Sequence, residues 1–172
     1  MEILSIEGEN IASLAQPFAI DLETGDLAGC GLFAITGDTG AGKSSLLDAM
    51  CLALYGDCPR LGAAGVNDAV PDASGDTIQS NDARTILRRG AAAGHAVVRF
   101  LSRDGARYEA AWSVRRARAK PTGRLQAVDR SLRRLSDGQV LETQTRRVNY
   151  RVVALTGLTY EEFRRAVLLA QG

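Results

Sequence analysis

Lys43 and Ser44 close the run Gly37, Asp38, Thr39, Gly40, Ala41, Gly42, which fits the pattern G-x-x-x-x-G-K-[ST] without a mismatch. That combination suits the phosphates of a nucleoside triphosphate. Glycines let the main chain curl until successive N–H groups face phosphate oxygens, where a Cβ would collide with loop or ligand. Lys43 is expected to reach the β- and γ-phosphates. The Ser44 hydroxyl is expected to take one position on Mg²⁺, a cation that keeps most of its waters. Ser45 is placed to donate to the α-phosphate. The expected site is therefore Gly37 to Ser45, with ATP and Mg²⁺ as cofactors.

Such a loop needs a strand before it and a helix after it. Residues 31–36 are mostly apolar and read as a short buried strand. Beyond the loop, Leu46, Leu47, Met50 and Leu54 recur at helical spacing, with Ala49 and Ala53 beside them. The start of that helix adds free N–H groups and a positive dipole end to the phosphate site.

Upstream, residues 1–7 alternate apolar and polar and read as a strand, and residues 18–22 as a second, with a turn at Thr24-Gly25-Asp26. Downstream, residues 56–81 are rich in Gly, Ala, Asp, Asn and Pro and show no periodicity, so they read as a long loop. Residues 83–89 read as a short helix or an extended lead-in. From His95 the pattern is an antiparallel meander: residues 95–101, 107–115 and 125–135, with turns at Asp104-Gly105, Pro121-Thr122-Gly123 and Asp137-Gly138. Tyr108, Ala110, Trp112 and Val114 fall on one face. Residues 143–155 turn helical and stop at Gly157; Thr159 and Glu162 form a capping box for a last short helix.

A chain of 172 residues with 45% hydrophobic and 24% charged residues can bury a core without metal or disulfides. No apolar run is long enough for a membrane span, and the acidic, strand-like start is no secretory signal. Three scattered cysteines, Cys30, Cys51 and Cys58, without framework or metal spacing, point to a reducing cytoplasm. Cys51 reads as a small core residue. His95 is the single histidine, which argues against a His-based metal site or triad.

The net charge of +1 conceals a segregation. Residues 1–83 hold 2 Lys/Arg against 13 Asp/Glu, net −11, whereas residues 84–134 hold 14 against 3, net +11. Within the second segment, Arg115, Arg116, Arg118, Lys120, Arg124, Arg130, Arg133 and Arg134 cluster on strands and their turn. Arginine forks pair with two phosphate oxygens at once, so the cluster reads as a DNA-backbone surface built from Arg115, Arg116, Arg118, Lys120 and Arg124. Contacts of this kind carry little sequence information. The competing reading is a solvated face balanced by the acidic half. Trp112 and Tyr108, being on one strand face, read as core rather than as stacking platforms.

Hydrolysis needs more than the glycine loop. An apolar run ending in Asp-Glu would hold Mg²⁺ and polarise water, and none follows the loop; residues 151–158 are apolar but end in Thr-Gly-Leu. No Leu-Ser-Gly-Gly-type signature is present either. A self-contained kinase or small NTPase is disfavoured on that ground. The pattern reads as half of a nucleotide-binding fold.

MEILSIEGENIASL, then GLFAITGDTGAGKSSLLDAMCLALYG with CPRL, then RYEAAWSVRRARAKPTGRLQ, and finally LTGLTYEEFRRAVLLAQG together resemble the SbcC family, the SMC-like coiled-coil ATPases of double-strand break repair. The resemblance implies an α/β P-loop NTPase fold: the N-terminal lobe of a split ABC-type ATPase head with an antiparallel β extension. Residues 1–172 would run from glycine loop to glutamine loop, with Gln171 meeting Mg²⁺ or the attacking water. A coiled coil and a C-terminal lobe would bring the signature motif, an Asp and the catalytic Glu. The implied partners are that C-terminal lobe, a second ATPase head, an SbcD-type nuclease subunit and double-stranded DNA, at the bacterial nucleoid. Relatives place an arginine near the first loop to hold nucleotide; Ala12, followed by Ser13, stands at that position here. A chromosome-organising or recombination ATPase without a nuclease is the rival within the same superfamily, and a plain DNA-binding module the rival outside it.

Overall fold

The structure, a computed structural model, describes residues 1–30, 34–62 and 68–166. Alternating apolar and polar positions build one antiparallel sheet. Its strands are β1 (Glu2–Glu9), β2 (Phe18–Asp21), β5 (Ala93–Leu101), β6 (Arg107–Arg115), β7 (Asp129–Arg134) and β8 (Val140–Glu142), in the order β2-β1-β5-β6-β7-β8. The meander expected from residue 95 onward is therefore present, and β1 and β2 extend it on one side. Leu4 and Ile6 of β1, Ala96, Val98 and Phe100 of β5, and Tyr108, Ala110, Trp112 and Val114 of β6 point to the buried face. Gly8 sits inward on β1 because a Cβ there would come within 2.8 Å of the His95 carbonyl and 2.9 Å of the Phe18 ring.

Helix α1 (Lys43–Tyr55) crosses the buried face of the sheet against β5 and β6. Its residues from Ala49 to Tyr55 are all buried. A helix apolar on every side must be covered on every side, and here the sheet takes one flank while α3 (Thr145–Thr156) takes another. Val148 and Val152 of α3 are fully buried. Gly56 and Gly157, both left-handed (φ 71° and 69°), stop α1 and α3 as C-terminal caps. The capping box forms as expected: the Thr159 amide and hydroxyl both donate to Glu162 Oε2 at 2.8 Å at the head of α4 (Tyr160–Ala166). Tyr55, at the end of α1, packs on Tyr160 and Phe163 of α4 and donates its hydroxyl to the Leu158 carbonyl at 3.1 Å.

Two sequence expectations are corrected. Residues 34–36 are not a buried strand: they pair with no neighbour among the described residues, and Ile35 is 37% exposed. A strand buried on both faces needs partners alongside, and none of the six strands of the sheet pairs with these residues. Residues 31–33 of the expected strand lie outside the described residues. Nor are residues 56–81 a structureless loop. They contain α2 (Pro59–Gly62) and a two-stranded hairpin, β3 (Ala69–Pro71) with β4 (Thr77–Gln79), in which Val70 opposes Ile78. Three-residue strands show too little alternation to register as a period.

Candidate nucleotide-binding site

The glycine loop leads into α1 without a break. Gly37, Gly40 and Gly42 all have positive φ (152°, 86° and 96°), backbone that other residues rarely adopt. The Ala41 amide closes a turn on the Asp38 carbonyl at 3.1 Å. Lys43 Nζ folds over that turn, donating to the carbonyls of Gly37 at 2.6 Å and Asp38 at 2.8 Å. Asp38, Thr39, Gly40 and Ala41 are exposed. The amides of Gly40, Gly42 and Ser44 have no acceptor among the described residues. A buried, rigid helix thus presents a curled loop, unpaired N–H groups and one ammonium at the surface. Those donors fit a phosphate chain, and the Ser44 hydroxyl fits one position on a hydrated Mg²⁺. The described residues offer no cluster of three or more His, Cys, Asp or Glu for a metal.

The segment after β1 presses on the loop. A Cβ at Gly42 would lie 2.6 Å from Leu14 Cδ2. Ser45, 2% exposed, shares a 2.7 Å hydrogen bond with Ser13 Oγ and accepts from the Ser13 amide at 3.3 Å and Arg60 Nη2 at 3.5 Å. Its hydroxyl therefore ties α1 to the 11–14 segment, a role that competes with the expected donation to the α-phosphate. Arg60 Nε also donates to the buried Asp48 at 2.7 Å, fixing α2 on α1.

Sequence reasoning missed Arg88. Its Nη1 donates to the Ser13 carbonyl at 2.9 Å and the Ala12 carbonyl at 3.4 Å. Ala12 itself is left-handed (φ 48°), held by its amide on the Ile86 carbonyl at 2.8 Å. A cation from the segment before β5 thus stands beside the first loop, where Ala12 supplies none. No local pattern could announce this, because the contact spans 75 residues. Gln171 lies outside the described residues.

The basic cluster divides. Arg115, Arg118, Lys120 and Arg124 are exposed, but Arg116 is not a surface contact. It is 7% exposed and forks onto both oxygens of Asp72 at 2.8 and 2.7 Å while donating to the Gly123 carbonyl at 2.9 Å. Alternation explains the correction: Val114 and Arg116 share the inward parity of β6, so the second arginine must turn into the protein. Arg130 is buried likewise. A further basic face, not singled out from sequence, lies on α3, where Arg146, Arg147, Tyr150 and Arg151 are exposed and Tyr150 is 76% accessible. The TRRVNYR spacing carries the signal: once Val148 and Val152 point inward, these four face out. The α3 N-terminus has no side-chain cap from Gln144.

Cys51 and Cys58 are buried free thiols, and burial raises the pKa of Cys51 to about 12, which leaves it inert. No helix among the described residues is long and apolar enough to cross a membrane.

A curled glycine loop feeding a buried helix, with a lysine at the first helical position, is a candidate nucleoside-triphosphate-binding site. Residues 5–172 match the AAA domain family, and the chain belongs to it. Over its full length it is 67% identical to the SbcC protein of the nuclease SbcCD from Rhodobacter capsulatus, covering 14% of that protein. It is 46% identical to the protein of the same name in Pseudomonas aeruginosa, over 99% of this chain and 14% of that protein. The Bacillus subtilis protein of that name is 34% identical over 98% of this chain and 13% of its own length. The resemblance drawn from the sequence stretches is thus upheld, and the chain spans about one seventh of each of these relatives.

Proposed function

We propose that residues 1–172 are the nucleotide-binding N-terminal lobe in the ATPase subunit of a DNA double-strand break repair exonuclease complex. The surface at the head of α1 would hold ATP and Mg²⁺. Backbone amides of residues 37–44 would hold the phosphates, Lys43 would exchange the loop carbonyls for phosphate oxygens, and Ser44, with Gln171 as the resemblance implies, would hold the metal. The metal would supply neutralisation of phosphate charge there. Arg88, adjoining the first loop, takes the place of the arginine that Ala12 lacks. The observation that carries this reading is the curl of the loop itself, with Gly37, Gly40 and Gly42 at positive φ and the amides of Gly40, Gly42 and Ser44 without an acceptor among the described residues.

The remaining catalytic groups come from a C-terminal lobe and a second head. ATP-driven closure of the two heads gates DNA access to an SbcD-type nuclease subunit, in the cytoplasm at the nucleoid. The open, exposed loop supports this, since a site that waits for a second surface need not form a pocket by itself. So do the names of the relatives, which are subunits of a nuclease. DNA meets the basic surface of Arg115, Arg118, Lys120 and Arg124.

The test is nucleotide binding and turnover by residues 1–172 with and without the remainder of the protein. Weak binding and negligible turnover by the lobe alone, restored by the remainder, is the expected result. Vigorous hydrolysis by residues 1–172 alone refutes the split site. Co-purification with a metal-dependent nuclease subunit separates this reading from an ATPase that only organises chromosomes.

A further inference from the structure

Between β6 and β7 the chain forms a tongue, residues 116–125, whose base is closed by an isolated bridge between Arg116 and Leu125. Arg118 (φ 59°, ψ 21°) and Ala119 (φ 51°) are consecutive non-glycine residues in the left-handed region. Backbone of that kind persists only where its surroundings over-determine it. The hydrogen bonds across the tongue do so. The Ala117 amide donates to the Arg124 carbonyl at 2.9 Å, and the Gly123 amide to the Lys120 carbonyl at 2.8 Å. Gly123 is pressed so closely on the opposite limb that a Cβ would lie 2.2 Å from the Ala117 carbonyl oxygen. The Arg116 guanidinium, from inside the tongue, joins the Gly123 carbonyl to Asp72 in the turn between β3 and β4.

The hairpin is a buttress. Asp72 is itself braced, accepting from the Ser74 hydroxyl at 2.7 Å, and a groove of about 240 Å³ beside it is lined by its turn and by Arg124 and Leu125 of the tongue. The pair of Arg116 and Asp72 is almost fully enclosed, whereas the neighbouring pair of Arg124 and Asp76, at 3.4 Å, is open to water. The first can hold position; the second can be exchanged for another anion. No Asp or Glu occurs from residue 110 to 128, so the tip of the tongue is purely cationic.

We propose that the buried ion pair of Arg116 and Asp72 is a positioning device. It pins β3–β4 beneath the tongue and keeps Arg118 and Lys120 preformed for the phosphodiester backbone of double-stranded DNA. The inference rests on the DNA reading above and adds to it two residues that never touch the nucleic acid. Holding the strained tongue ready moves the ordering cost from binding to folding. Arginine and lysine at the tip suit consecutive phosphates, and contacts of this type are independent of sequence.

The experiment measures binding of the full-length protein to a blunt-ended duplex across a salt titration, with ATP binding followed in parallel. Arg118→Ala with Lys120→Ala should weaken DNA binding and lower the salt slope by about 1 to 2. Asp72→Asn should weaken it roughly 3- to 10-fold with ATP affinity unchanged, and Asp72→Glu should restore part of the loss. Because Asp72→Asn leaves a buried guanidinium unpaired and can unfold the hairpin, Gly123→Ala serves as the second variant. It distorts the surface tongue while keeping every charge, so a loss of DNA affinity there reports preformation rather than charge number. Unchanged affinity and slope in the Arg118/Lys120 variant overturns the tongue as a DNA surface. Loss in that variant but none in Gly123→Ala overturns the positioning role. Failure of the parent protein to bind ATP would instead strike the nucleotide reading, which these DNA measurements leave untouched.

Discussion

Arg130 on β7 donates through Nη2 to the Leu54 carbonyl at 3.0 Å and, at the same distance, to that of Ala53. These are among the last carbonyls of α1, which no intrahelical amide can satisfy. A cation at that end also meets the negative pole of the helix. Burial lowers the pKa of Arg130 to about 10, so it stays charged at neutral pH with no carboxylate beside it. Its Nη1 reaches Asn149 Oδ1 of α3 at 2.7 Å, so one side chain joins β7, α1 and α3. Arg130→Met should destabilise the fold by roughly 2–4 kcal/mol, through carbonyls left without donors and a lost three-way tie. Arg130→Lys should recover little, because one ammonium cannot span the same three acceptors. Urea unfolding midpoints measure both.

Lys43 bears on function rather than on stability. Its two acceptors are exposed loop carbonyls that water can serve. Lys43→Ala should therefore leave the thermal midpoint within a degree or two while weakening ATP binding roughly 10- to 100-fold, the effect of losing charge-assisted contacts. Isothermal titration with ATP and Mg²⁺ checks it. A variant that unfolds, or one that binds ATP normally, contradicts the assignment.

Gly42 tests the seat of the loop. Its φ of 96° is one that L side chains rarely adopt, and an added methyl would meet Leu14. Leu14 can move, so the backbone strain dominates. Gly42→Ala should cost about 1–2 kcal/mol. It should also reduce ATP affinity, because the first amides of α1 would be turned from their present direction. Comparing urea midpoints with ATP titrations separates the two effects.

What the sequence made legible were features with a long or local signature: the glycine loop, the hairpins from β5 to β8, the capping box at Thr159, the glycine that stops α3. The features that escaped depend on contacts distant in the chain. Nothing near Ser45 says that its hydroxyl belongs to Ser13, and nothing near Ala12 says that Arg88 will stand beside it. Arg116 was readable in principle, since its parity on β6 is that of Trp112 and Val114. A run of arginines hides parity, because every member looks like surface. Residues 34–36 illustrate the opposite failure: apolar composition implies burial only when something is present to bury against.

The last prediction concerns acid. Hydrogen bonds from Arg116 hold the Asp72 carboxyl well below the usual carboxylate range; burial opposes this, and Ser74 assists Arg116. In the unfolded chain the same carboxyl titrates near its ordinary value of about 3.9. A carboxylate whose pKa is depressed on folding stabilises fully above the unfolded value and loses that contribution as pH falls through the folded one. The stability gap between wild type and Asp72→Asn should therefore be flat from neutral pH down to about pH 5 and narrow below it, first as the carboxyl of the unfolded chain takes up its proton and last as the folded one does. Other carboxylates held low, such as Asp82 and Asp104, remain in both proteins and cancel in the comparison. Urea midpoints of the two proteins across the acid range give the gap directly. If it closes well above pH 4, where the folded carboxyl should still be ionised, Arg116 does not hold Asp72 as the geometry requires, and the hairpin under the tongue is fastened by something else.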